Sequence, residues 1–110
     1  MPNVVTKAAL TPARKRLVEL MQEINYGRIE KLHVRDGEPI FDPPPTVLRL
    51  FLFGKDNGPN ESRGNDGFAL KRKVAELFEV FDRERSLSIQ ELRIDNGLPI
   101  RMTVADDFRV

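Results

Sequence analysis

The chain has 110 residues, 18 lysines and arginines against 17 aspartates and glutamates, and no cysteine. Its formal net charge of +1 excludes a strong global field for capturing nucleic acid or an anionic membrane, and the missing thiols exclude disulfides and thiolate metal sites. The length suits one domain that buries a core without metals or staples, and a cytoplasmic protein without a redox role fits best.

The first ten residues, MPNVVTKAAL, lack a basic start followed by an apolar stretch, so no signal peptide is expected, and no apolar run is long enough to cross a bilayer. Thr11-Pro12 reads as a helix start: threonine supplies the capping oxygen, and proline tolerates the first helical position because its missing N–H would have been unpaired. A helix over about residues 12–25 follows, with Leu17, Leu20, Met21 and Ile24 as one apolar stripe. Gly27 is expected to end it in the left-handed conformation.

Next comes Ile29-x-x-Leu32-x-Val34, then Asp36-Gly37 and a return strand through Pro39 and Ile40. The Asp-Gly step signals a hairpin. The spacing of Ile29 and Leu32 breaks strict alternation, which predicts a bulge or late strand entry near Glu30. Phe41-Asp42-Pro43-Pro44-Pro45 then favours a stiff extended bend. Beyond it, residues 47–53 (VLRLFLF) read as a strand apolar on both faces: Leu48, Leu50 and Leu52 on one, Val47, Phe51 and Phe53 on the other. One face is expected to join the core. The other needs cover, from the termini or from a second copy of the chain.

Residues 54–66 are polar and rich in Gly and Asn, a linker. A second helix follows, capped by Asp66 or Asn65, with Val74, Leu77, Phe78 and Phe81 as its stripe and a longer, charged exit over residues 82–86. The strand Ile89-x-x-Leu92-x-Ile94, with a bulge near Gln90, leads through Asn96-Gly97 to a return strand carrying Pro99, Ile100, Met102 and Val104. A three-residue loop, Asp95-Asn96-Gly97, puts Leu92, Ile94, Leu98 and Ile100 on one face, and Arg35-Asp36-Gly37 is expected to match it. In that register Pro39 and Pro99 occupy non-hydrogen-bonded pairs, so each return strand should be a sheet edge.

The second half thus repeats the first. Residues 29–40 match residues 89–100 position by position, and Leu17, Val18, Leu20, Met21 and Ile24 match Val74, Ala75, Leu77, Phe78 and Phe81, with three extra residues between the blocks in the second copy. The expected fold is α+β in a single domain of residues 1–110: two tandem αββ units (11–53 and 67–106) related by a pseudo-two-fold axis. Residues 29–34 and 89–94 should lie at the centre of an antiparallel sheet, the return strands outside, and both helices on one face.

The stretch from Leu17 to Ile40, with its helix stripe, Tyr26-Gly27, Ile29 and Asp36-Gly37, resembles the YezD-like small bacterial proteins. Those read as one short helix, a Tyr-Gly junction, a strand, Asp-Gly and a return strand. The resemblance covers about a fifth of the chain and rests on short structural motifs, so it implies the fold unit and no site residues. The second unit departs from it at the junction, where Arg85-Ser86-Leu87-Ser88 replaces Tyr-Gly.

Chemistry-bearing patterns are sparse. Arg14-Lys15-Arg16 and Lys71-Arg72-Lys73 fall in the first turns of the two helices, where the macrodipole disfavours cations, and together they form a candidate anion site. The plainer alternative is solvated faces, with Lys15 near Glu19 and Arg72 near Glu76. His33, the sole histidine, points away from the core and makes no metal site alone. The stretch Asp56-x-Gly58-x-Asn60-Glu61 has incomplete calcium-loop spacing, and the glycines follow no phosphate-binding pattern. No nucleophile, base and carboxylate arrangement is visible, so neither an enzyme nor a cofactor is expected. The expected function is an interaction or assembly module forming a homodimer through Val47, Phe51 and Phe53. The alternative is weak binding of nucleic acid or an anionic ligand through the paired basic helix starts; a nucleic-acid partner is disfavoured by the near-zero net charge and by triads without interleaved aromatic residues.

Overall fold

Thr11 caps the first helix as the Thr-Pro step predicts, its Oγ1 accepting the Arg14 backbone N–H at 3.2 Å while its hydroxyl donates to Glu38 Oε1 at 2.6 Å. The computed structural model describes residues 10–54 and 72–106; the Asn65 or Asp66 cap, the linker and Lys71 lie outside them. Helix α1 spans Pro12–Ile24, followed by strands β1 (Tyr26–Arg35), β2 (Glu38–Ile40) and β3 (Thr46–Arg49). Helix α2 (Arg72–Glu84) and strands β4 (Leu87–Asp95) and β5 (Leu98–Val104) complete the α+β fold. Among the described residues no helix is long and apolar enough to cross a membrane.

The five strands form one antiparallel sheet in the order β2-β1-β4-β5, with β3 also beside β1. β2 pairs with the end of β1 and β3 with its start, so the two lie end to end along one side of the same strand. The central pair is β1 with β4, from Tyr26 opposite Asp95 to Val34 opposite Leu87. The buried residues of both helices and of β1 and β4 form a single cluster: Leu17, Val18, Met21 and Ile24; Val74, Leu77, Phe78 and Phe81; Ile29, Leu32 and Val34; Ile89, Leu92 and Ile94. Each such side chain contributes roughly 1.5–3 kcal/mol when fully buried. Leu20, expected in the stripe, packs at the margin, and Val18 takes its place.

The alternation breaks are where the spacing puts them. Lys31 turns to φ 61° in mid-strand, and Gln90 is the extra residue where the β4–β5 register shifts between Ile89 and Glu91. Ile29 and Leu32, and likewise Ile89 and Leu92, therefore all face the core.

Both hairpin loops differ from expectation. Arg35 pairs with Glu38 and Asp95 with Leu98, which makes the loops two residues long, and Val34 stands opposite Pro39 and Ile94 opposite Pro99. Both central residues of each loop are left-handed: Asp36 at 54° and Gly37 at 79°, Asn96 at 56° and Gly97 at 76°. That is the type I′ turn, whose twist matches the flanking strands and which Asp-Gly and Asn-Gly favour. The phase correction assigned to the loop sits instead at Ile100, an extra residue between Pro99 and Arg101. Beyond it Met102 returns opposite Leu92, and Ile100, expected in the core, is left 41% exposed. The prolines still occupy outer strands, one position beyond the hydrogen-bonded pair that closes each turn, where the missing N–H would have pointed outward.

Helix exits also differ. Asn25 (φ 63°) ends α1 and Arg85 (φ 67°) ends α2, their N–H groups reaching Met21 O and Phe81 O at 3.0 Å each. The longer exit expected after α2 is absent, because the helix runs one polar turn beyond Phe81. These ends hold the hairpin turns: Gly37 N–H donates to Arg85 O at 2.8 Å, and Gly97 N–H to Asn25 O at 2.9 Å. Gly27, expected to end α1, lies within β1 at φ 153°. A Cβ there would fall on the Leu48 carbonyl oxygen and within 3.0 Å of Arg49 Cα. Only glycine lets β3 approach at this point. Gly27→Ala is therefore expected to destabilise the protein by about 1–3 kcal/mol in urea unfolding. The amides of Leu48 and Leu50, which face β1, should lose hydrogen-exchange protection first; unchanged stability would show that β3 does not depend on the close approach.

Candidate functional site

The two basic triads meet different surroundings. Arg14 is only 13% exposed, and its Nε and Nη2 donate to Gly37 O at 3.2 and 2.8 Å. Nη2 also reaches Asp82 Oδ1 at 2.6 Å, and the guanidinium lies 5.2 Å from the centre of the Phe78 ring. One side chain thus joins α1, the β1–β2 turn and α2. Asp82 is 61% exposed, so the ion pair adds little beyond the hydrogen bonds and the ring contact.

Lys15 is half-buried on α1, and Arg16 is exposed with Nη1 3.4 Å from Glu23 Oε2. On α2, Arg72 is almost fully exposed and pairs with Glu76 one turn on at 3.5 Å, while Lys73 is exposed. Because Arg14 meets Asp82 near the end of α2, Arg72 lies about 15 Å further along that helix at 1.5 Å per residue. Arg14 thus sits at one end of the two-helix layer and Arg72 and Lys73 at the other.

The segment from Val47 to Phe53 stays outside the core on both of its phases. Val47, Leu48, Leu50 and Phe51 are between 37% and 49% exposed, and Phe53 is 96% exposed. The expectation that one face would join the core fails, because β3 pairs beyond the reach of both helices' buried faces, and its partners on β1 are Gly27, Arg28, Ile29 and Glu30. Leu50 N–H extends the pairing to Tyr26 O at 2.8 Å, and Arg49 lies 4.9 Å over the Phe51 ring. His33 is exposed opposite Ser88 on β4.

Sequence reasoning missed a third constellation. Arg28 stands opposite Arg93, and Arg93 opposite Arg101, a row across β1, β4 and β5 on the face away from the helices. Leu48 extends the row on the β3 side. Arg28 Nε pairs with Glu30 Oε2 at 2.8 Å and Glu91 Oε2 at 3.4 Å. The only signal in the sequence is that Arg28 and Arg93 each precede a core isoleucine, and that becomes a row only once register aligns the strands.

Compared with known proteins, the chain matches no family model, no curated protein and no solved structure.

Arg14→Leu is expected to cost about 2–3 kcal/mol in urea unfolding, since it strips the Gly37 carbonyl of two charge-assisted hydrogen bonds. Arg14→Lys should recover only part, lacking the planar fork. Arg72→Gln should stay within about 0.5 kcal/mol of the parent. Equal effects at Arg14 and Arg72 would show that the clamp contributes no stability.

Proposed function

We propose that this chain is an interaction module that self-associates through β3 and the residues just after it. The observation that carries the reading is a run of exposed apolar side chains, Val47, Leu48, Leu50, Phe51 and Phe53, on and beyond a strand paired on one side only among the described residues. Exposed apolar edges recruit further strands, and folded proteins usually blunt them. The other outer strands are blunted: β2 has three residues with Pro39 in the middle, and β5 carries Pro99 and the irregularity at Ile100. Strand β3 carries no proline and no bulge. Two copies related by a two-fold axis would pair the same segment with itself, an isologous interface.

An internal duplication of an αββ unit supports the same reading. The bond from the turn glycine to the opposite helix end occurs twice, Gly37 to Arg85 and Gly97 to Asn25. Taken as equivalent, these positions also match Leu17 to Leu77 and Met21 to Phe81 at the interval that separates Ile29 from Ile89, with no three-residue insertion between helix and strand. The YezD-like resemblance of the first unit would then extend to the second as a scaffold. On this view β3 belongs to one unit only and is an addition that the shared scaffold does not need. The alternative, an anion site formed by the paired triads, has less support, because Arg14 is engaged by Gly37 and Asp82 and lies far from Arg72.

Light scattering on the purified chain at high micromolar concentration should give a dimer mass, and Phe51→Glu with Phe53→Glu should give a monomer with an unchanged circular dichroism melt. A parent chain that scatters as a monomer would sink the proposal.

A further inference from the structure

We infer that the helix-free face of the sheet carries a binding site for a small ligand with a carboxylate or phosphate head and an apolar body, centred on Arg28 and Arg93. A hollow of about 200 Å³ lies there, lined by Gly27, Arg28, Leu48, Arg49, Leu50 and Arg93. Half of its lining residues are arginines and none is acidic. The volume, below the usual range of drug-sized pockets, suits a charged head and a short apolar group.

The electrostatics favour an anion. Like charges directly opposite each other on neighbouring strands destabilise a sheet, and this sheet aligns three, Arg28, Arg93 and Arg101. The nearest carboxylates in the next row, Glu30 and Glu91, are both drawn to Arg28 Nε. Asp95, two residues along β4, is exposed and lies outside ion-pair distance of Arg93. Arg93 is half-buried, and among the described residues no carboxylate lies within ion-pair distance of Arg93, Arg49 or Arg101. Guanidinium groups present planar pairs of N–H donors that match carboxylate and phosphate oxygens. Leu48 and Leu50 supply the apolar wall.

By strand alternation Leu48 shares the face of Arg28, whereas Val47 shares that of Ile29. The site therefore lies on the opposite face of β3 from Val47 and Arg49, and it shares Leu48 and Leu50 with the exposed apolar run.

Titrating the isotopically labelled full chain at low salt with phenyl phosphate and phenylacetate, followed by backbone amide and arginine side-chain NMR signals, tests the assignment. Saturable shifts should appear at Gly27, Leu48, Leu50 and Arg93. Inorganic phosphate and acetate, which lack the apolar body, should bind more weakly at the same signals; a response to the phosphate pair alone or to the carboxylate pair alone identifies the head group the site accepts. Arg93→Gln should weaken binding roughly ten-fold, as should Arg28→Gln if the first variant folds poorly, while Arg72→Gln leaves it unchanged. The light-scattering mass of Arg93→Gln should equal that of the parent. Absent saturable shifts at these residues, or affinity retained in both arginine variants, would overturn the inference.

Discussion

The phase of the two central strands constrains everything else in this fold. Two apolar residues three apart on a strand cannot both face one core unless one residue between them leaves the alternation. Ile29 with Leu32 and Ile89 with Leu92 pose that problem at the same level of the sheet, since Glu30 stands opposite Glu91 and Leu32 opposite Ile89. Lys31 answers it in β1 with a left-handed residue, and Gln90 answers it in β4 as the extra residue toward β5. Because both strands change phase together, their pairing stays in register and one face remains apolar from end to end. Both helices can then share a single cluster with that face.

The helices are tied to the sheet at their ends as well as along their buried stripes. Each hairpin turn buries its glycine beneath a helix terminus and donates one N–H to the last carbonyl there. Such a bond contributes only about 0.5–1.5 kcal/mol, but the same geometry left unbonded would bury an unpaired donor at a comparable or larger cost. Arg14 adds a tie at one end only, filling the space between the Gly37 turn, Asp82 and the Phe78 ring. The tertiary structure thus sets one structural arginine apart from the exposed Arg16, Arg72 and Lys73.

The surfaces left over divide by chemistry. The edge at β3 is apolar and paired on one side among the described residues, which suits a second chain. The face away from the helices is charged, with an arginine row beside a glutamate row, which suits a small anion. Both proposals draw on β3, the first on its open edge and the second on Leu48 and Leu50 of its helix-free face. Gly27 makes the arrangement possible, since any side chain there would push β3 off β1.

Much of the scaffold was legible in the sequence. The Thr11-Pro12 start, both apolar stripes, the Asp-Gly and Asn-Gly turns, the central position of β1 and β4 and the breaks near Glu30 and Gln90 rest on local spacing and backbone preference, which act within a few residues. Loop length was misread because the pattern demands one phase correction in β5 without saying where, and sheet twist favours type I′ turns with the correction at Ile100. The exposure of β3, the burial of Arg14 and the alignment of Arg28 with Arg93 and Arg101 were decided by the tertiary structure alone. Each depends on which residues stand opposite one another across long sequence separations, and that is set by the packing of the whole sheet.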